Sequence, residues 1–341
     1  MPGFLSWVSS LFSNRQSAPP PSQSRLLNPA TSRTNGTLTG DTPADKLEEH
    51  LFCWLLDASP SELTRENNDV AQVLTELEKR LQKHNLDELP RQPLTLPMLM
   101  RALSDQDITR KAITDIVLED PALTDQLLQV ANSPFFRPGD QTIESVDQAV
   151  FILGIEGIRS VISAAILRPM MAARNSHEAL FAQRVWRWGL SCARAAELIA
   201  RLQGKDASAY FMVGLLPALA YLTLYRETQR LYRSALAGPG VPPAVVYRTL
   251  KQFDWQTAQR IADHWKLPPR YSAYLLEAER PAPRQQHSPL NDGMIMGTRE
   301  LLRHAHQRNM GEEELLGLLS LSDQQFHEVR SDLIDMLLEG H

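Results

Sequence analysis

The chain has 341 residues, 43% of them hydrophobic, and a formal net charge of −5. That length and apolar content suffice for one large domain with appendages or for two domains, while the mild acidity lacks the basic footprint of a nucleic-acid-binding or membrane-surface protein. Cys53 and Cys192, the two cysteines, lie far apart in apolar helical patterns, which excludes a disulfide framework and a CxxC metal or redox pair and fits a reducing cytoplasm.

Residues 1–43 read as a disordered tether. Phe4, Leu5, Trp7, Val8, Leu11 and Phe12 cluster at helical spacing, but Arg15 is the one positive charge beside them, so a frayed terminus is preferred to membrane contact by Phe4–Phe12. No secretory signal precedes them. Ser13 to Pro43 is rich in Ser, Pro, Asn, Thr and Gly and has almost no large apolar residue after Leu27, too little to bury. Order is expected from Ala44. Leu47, Leu51, Trp54 and Leu55 mark one helix, and Val70, Val73, Leu74, Leu77 and Leu81 mark another over about Asn68 to His84, an N-terminal helical pair over 44–85. Pro90, Pro93 and Pro97 then hold the chain extended and open a new domain.

From Asp105, Ile108, Ala112, Ile113, Ile116 and Val117 form an apolar face that ends at Glu119. Asp120 is placed to cap the next helix and Pro121 suits its first position, where a missing N–H loses no partner. That helix carries Leu123, Leu127, Leu128 and Ala131 inward and stops at Asn132, Ser133 and Pro134. Ser145 with Gln148 has capping-box spacing, and Gly154 stands where a helix C-cap belongs, before another helix from Glu156 to about Ala173. Ser176 to Leu202 reads as a long helix with Leu180, Val185, Trp186, Leu190, Ala193, Ala196 and Ile199 available to a core.

Tyr210–Tyr225, YFMVGLLPALAYLTLY, is the longest run without a charge and is predicted to be the central buried helix. It is shorter than the roughly 20 residues a bilayer requires. Pro217, which has no N–H and crowds the carbonyl of Val213, predicts a kink or a restart within it. Helices follow at Glu227–Ala237, Val245–Phe253 and Trp255–Trp265, with a Gly/Pro loop from Gly238 to Pro243 and a break at Leu267–Pro269. After the proline-bearing link Pro281–Pro289, residues 281–341 form a C-terminal helical extension. Ser322 and Gln325 open its last helix, along which Phe326, Val329, Leu333, Met336 and Leu337 share a face. No alternating run or hairpin signal is present, so the fold class is all-α.

Six segments occur in a telling order: LPRQPLTLP at Leu89–Pro97, EDPALTDQLLQVANSPFF at Glu119–Phe136, ESVDQAVFILGIEGIRSV at Glu144–Val161, VWRWGLSCARAAELIA at Val185–Ala200, GLLPALAYLTL at Gly214–Leu224 and HWKLP at His264–Pro268. Together they resemble the HDOD family, bacterial signalling relatives of the HD-domain metal phosphohydrolases. The resemblance implies a multi-helix HD-like bundle over 86–280 with a regulatory role and no generally established catalysis. It also implies an input or output partner on a separate chain, a protein of a signalling pathway.

An HD hydrolase needs a His, a His-Asp doublet and a distant Asp to hold a metal that activates water. Here the doublet position carries Pro217 and Ala218 and the upstream His position carries Trp188, none of which binds a metal. None of the nine histidines is followed by Asp, so no relocated doublet exists. The vestigial region is expected to pack as core, with no cofactor. Arg187, Arg194 and Arg201 recur every seven residues with Arg184 one turn before, a basic stripe that reads either as a solvated face or as a contact for a phosphate-bearing ligand or an acidic partner. His304 and His306, two apart, point away from each other on a helix and do not face one ion. His264 reads as a packing residue, Met98, Met100, Met170 and Met171 as core filling, and Asn132 as a helix terminator. Gly-rich phosphate loops and serine nucleophile elbows are absent as local motifs. The function these features support is non-catalytic regulation through protein or ligand binding in the cytoplasm. A divergent metal-dependent phosphohydrolase and a nucleotide-sensing module built on the arginine stripe are the alternatives.

Overall fold

The helical signals are realised as thirteen α-helices, with no strand among the described residues, in a computed structural model that describes residues 42–338 apart from 68, 98–99, 101–107, 134, 137–140, 237–239, 279–286 and 308. The tether, the Phe4–Phe12 cluster, Asn68, Met98, Asp105, Pro134, Gly238, Pro239 and Pro281 lie outside the described residues. In chain order the helices are α1 (Pro43–Leu56), α2 (Pro60–Thr64), α3 (Asp69–Gln82), α4 (Arg110–Leu118), α5 (Pro121–Ala131), α6 (Val146–Leu167) and α7 (Ser176–Leu202). They continue with α8 (Ala207–Leu236), α9 (Pro243–His264), α10 (Pro269–Ala278), α11 (Pro289–His304), α12 (Glu312–Leu316) and α13 (Asp323–Leu338). A 3₁₀ turn, Arg168–Met171, follows α6.

Local chemistry sets most of the boundaries. The Asp120 carboxylate accepts the N–H groups of Ala122 and Leu123 at 2.9 and 3.2 Å, with Pro121 at the first helical position. Ser322 and Gln325 close their box in both directions, at 3.1 and 3.3 Å. The Ser145 box closes only half way: Ser145 Oγ accepts the Gln148 N–H at 3.1 Å, but the Gln148 side chain reaches one residue further back and accepts the Glu144 N–H at 2.8 Å. Gly154 takes φ 68° and interrupts α6, separating the segment before it from the Ile155–Leu167 segment, a conformation that favours glycine.

Three expectations are resolved by where the helices run. The helix around Pro217 does not restart, because α8 runs unbroken from Ala207 to Leu236 with the proline inside. Its residues are buried without interruption from Ala207 through Leu224. The two helices expected at Val245–Phe253 and Trp255–Trp265 are one, α9, since neither Pro nor Gly divides them and the Asp254 carboxylate accepts the Trp255 N–H at 2.7 Å without ending the turn. His306 lies beyond the end of α11 at φ 54°, so it does not share a helix with His304.

The bundle is built around α7, which packs most extensively against α8 on one side and α11 on the other. Both seams rely on glycine. A Cβ at Gly214 of α8 would stand 2.7 Å from the Ala193 Cα, and one at Gly297 of α11 would stand 2.6 Å from the Cys192 Cα. Around this trio, α9 covers α8, α6 carries α4 and α5, α3 lies on α9 and α8, and α1 and α13 lie against α11 and α7. One continuous apolar core runs from Leu47 to Leu337. Two helical stretches are long and apolar enough to cross a membrane by composition, Val146–Met171 and Ala207–Ser234, and their most apolar windows are 61% and 100% buried within the bundle. Packing therefore uses the apolarity of the Tyr210–Tyr225 stretch as expected of a central helix.

Gly297→Ala tests the seam. Alanine is the better helix former by about 1 kcal/mol, yet the added methyl meets backbone. Urea unfolding is expected to show a loss of about 1–3 kcal/mol, and a neutral or stabilised variant would mean that the helices separate without cost.

Candidate functional site: a filled metal position beside a charged helix face

Trp188 of α7 and Pro217 of α8, two of the positions that the resemblance sets against HD ligands, line one space. Trp188 is 2% exposed. Its Nε1–H donates to Thr298 Oγ1 of α11 at 2.8 Å, and that hydroxyl donates in turn to the Met294 carbonyl at 2.6 Å. The indole's one polar group is thereby satisfied, which a buried Trp requires. Its ring stacks on Tyr221 at 4.5 Å, Tyr221 stacks on Phe52 of α1 at 5.7 Å, and Phe52 meets the Tyr247 ring edge-on at 5.0 Å. This aromatic column joins α7, α8, α1 and α9.

The space beside Trp188 and Pro217 is narrow, about 30 Å³, and Leu47 and Leu51 of α1 help to line it. Ala218, 1% exposed, does not line this space, because it faces Gly189, where a Cβ would stand 2.5 Å from its own. The indole N–H and the Thr298 hydroxyl are engaged with each other, and the two carboxylates that border the space, Glu48 and Asp254, are engaged by Lys251 and the Trp255 N–H, with no His or Cys beside them, so the residues do not fit a metal. Among the described residues no group of three His, Cys, Asp or Glu comes together elsewhere.

Helix α1 is fastened over the position by polar contacts. Arg184 donates to the Trp54 carbonyl at the end of α1 and pairs with Asp57 at 3.0 Å, with its guanidinium 5.4 Å from the Trp54 ring centroid. Lys251 of α9 pairs with Glu48 at 3.4 Å. Burial, with Glu49 and Glu62 nearby, pushes the Cys53 thiol of α1 up to about 11, so it stays protonated and unreactive at neutral pH.

The structure divides the arginine stripe among separate tasks. Arg184 serves α1. Arg194 and Arg201 both serve Glu197, which is fully buried, at 2.8 and 3.3 Å, with Ser160 Oγ of α6 donating to the same carboxylate at 2.9 Å. For Arg187 no ion pair or side-chain hydrogen bond occurs among the described residues, and burial lowers its pKa below the ordinary arginine value. Met171 is buried and Met100 and Met170 pack against the core. Asn132 does more than end α5: its side chain donates to the Ile143 carbonyl at 2.7 Å and accepts the Ile143 N–H at 2.8 Å, clasping the loop that follows. That paired clasp leaves no periodic trace, and neither do Thr298 as the indole's partner nor the burial of Glu197.

An all-helical bundle centred on the closely packed α7, α8 and α11 defines the class. Residues 89–281, more than half of the chain, match the HDOD domain, and the chain belongs to the HDOD family. No curated protein matches it. Among solved structures it resembles a Shewanella amazonensis SB2B protein provisionally named a metal-dependent phosphohydrolase, at 17% identity and TM-score 0.54, covering 78% of this chain and 100% of that one. An HDOD domain protein of unknown function from Geobacter sulfurreducens aligns at 17% identity and TM-score 0.51, over 79% and 99% of the two chains. A provisionally named signal transduction protein from Marinobacter aquaeolei VT8 aligns at 18% and TM-score 0.53, over 83% and 69%. At such identities the likeness shows the fold.

If Arg184 fastens α1, Arg184→Ala is expected to speed amide hydrogen exchange in Pro43–Leu56 by about tenfold or more and to leave exchange at the centre of α8 unchanged. Equal acceleration in both helices would mean that Arg184 supports the whole bundle instead.

Proposed function

We propose that this HDOD protein is a non-catalytic regulatory component of bacterial signal transduction, acting in the cytoplasm through its binding surfaces. One observation carries the reading: Trp188, which stands where the resemblance places a histidine ligand of an HD hydrolase, is buried, hydrogen-bonded to Thr298 and bordered by Leu47 and Leu51 of α1. A hydrolase of this type needs an open coordination position and a route for substrate. Rebuilding one here would require displacing a stacked indole and lifting Leu47, Leu51 and Phe52 from the core.

The names of the Shewanella and Marinobacter relatives point in two directions, hydrolysis and signalling, and the residues of this chain favour the second. The arginine stripe is a weaker basis for nucleotide sensing, since Arg184, Arg194 and Arg201 are already engaged by groups of the same chain. The partner is then a protein of the signalling pathway that reads the outer faces of the bundle.

Untagged protein purified without chelator is expected to carry less than about a tenth of an equivalent of transition metal and to show no turnover of phosphomonoesters or cyclic dinucleotides. Elemental analysis run beside hydrolysis assays checks this. A full equivalent of metal that chelation removes together with activity would overturn the proposal.

A further inference from the structure

A second concavity, two or more helical turns along α7 and α8 from Trp188 and Pro217, opens where the start of α7 meets the second half of α8. It has a volume of about 440 Å³, within the range of small-ligand sites, and Arg174, His177, Tyr225, Arg226, Arg230 and Arg233 line it. Four guanidinium groups face it against two lining carboxylates, Glu88 and Glu178, a net of +2 from 4 − 2 with His177 neutral.

These arginines do different things. Arg226 is part of the wall: it pairs with the buried Glu178 and donates to the carbonyls of Met170 and Ala172 at 3.2 and 2.8 Å, fixing the turn before α7. Arg230 is held by Glu227 at 2.7 Å and by Asp87. Arg174 is 58% exposed and meets Glu88 at 2.5 Å. Arg233 is exposed, has no carboxylate partner among the described residues, and donates only to the Gln229 amide oxygen at 3.4 Å. Beside it the Tyr225 ring stacks on Phe181 at 4.2 Å, and burial raises its phenol so that the hydroxyl stays neutral and able to donate. At the rim α7 begins, with Asn175 as cap and the positive end of a helix of 27 residues behind it.

A fixed wall, two adaptable guanidinium groups, a neutral hydroxyl donor and a net positive lining match the geometry of a phosphate group, whose oxygens accept several charge-assisted hydrogen bonds at once. We propose that this cleft binds a small phosphate-bearing ligand, with Arg174 and Arg233 closing on the phosphate. The inference does not depend on the filled metal position: a regulatory protein and an enzyme of this fold would present the same cleft.

The test is titration calorimetry of the full chain with pyrophosphate and with GDP, on the natural sequence and on Arg174→Gln, Arg233→Gln and Arg201→Gln. Circular dichroism melting establishes that each variant is folded. Binding of either probe is expected to weaken by about tenfold or more in Arg174→Gln and in Arg233→Gln, and to be unchanged in Arg201→Gln, which lies on the stripe that serves Glu197. Three results would overturn the proposal: neither probe binds at millimolar concentration, binding is indifferent to Arg174 and Arg233, or binding is lost with Arg201 instead.

Discussion

The approach of α7 to α8 and α11 at nearly backbone-to-backbone distance is the constraint on which the rest depends. Small residues on α7, Gly189, Cys192, Ala193 and Ala196, meet Ala218, Gly214, Gly293 and Gly297 on the flanking helices, leaving no space for an added methyl at the glycines. Helices that approach so closely cannot slide past one another without backbone collision, so the seam sets the height at which every larger side chain on the three helices meets its neighbours. Trp188 lies one residue before Gly189, and Thr298 one residue after Gly297. The hydrogen bond between indole and hydroxyl at 2.8 Å is a consequence of that register.

From that register follows the packing around Trp188. A large flat side chain there needs a flat neighbour and a lid, and Tyr221, Phe52 and Tyr247 supply stacking and edge contacts while α1 supplies the lid. The region around Trp188, Pro217 and Tyr221 is thus a structural centre that ties α1 and α9 to the body of the bundle. This packing is what supports the proposed regulation by contact.

Buried charge is handled by the same economy of neighbours. Glu197, Glu178 and Glu227 are all buried, and each is met by arginine: Glu197 by Arg194 and Arg201, Glu178 by Arg226, Glu227 by Arg80 and Arg230. A carboxylate left without such partners in the interior would be strongly destabilising. Three of the four stripe arginines are therefore occupied in three dimensions, while the exposed Arg174, which meets Glu88, and the exposed Arg233, without a carboxylate partner among the described residues, stand at the start of α7 and in the second half of α8.

Read alone, the amino-acid sequence determined the all-α class, most helices with their caps at Asp120, Gly154 and Ser322, and the buried central helix. All of these are written within a few residues, in periodicity, capping chemistry and side-chain identity, and local physics suffices to read them. Only the tertiary structure decided that α8 passes through Pro217 unbroken, that α1 seals the filled position, that Arg184, Arg194 and Arg201 are committed to Asp57 and Glu197, and that Arg174 and Arg233 share a cleft. Those outcomes depend on which distant backbones approach closely enough to touch, and a pairing such as Trp188 with Thr298, 110 positions apart, leaves no mark on the local pattern of either segment.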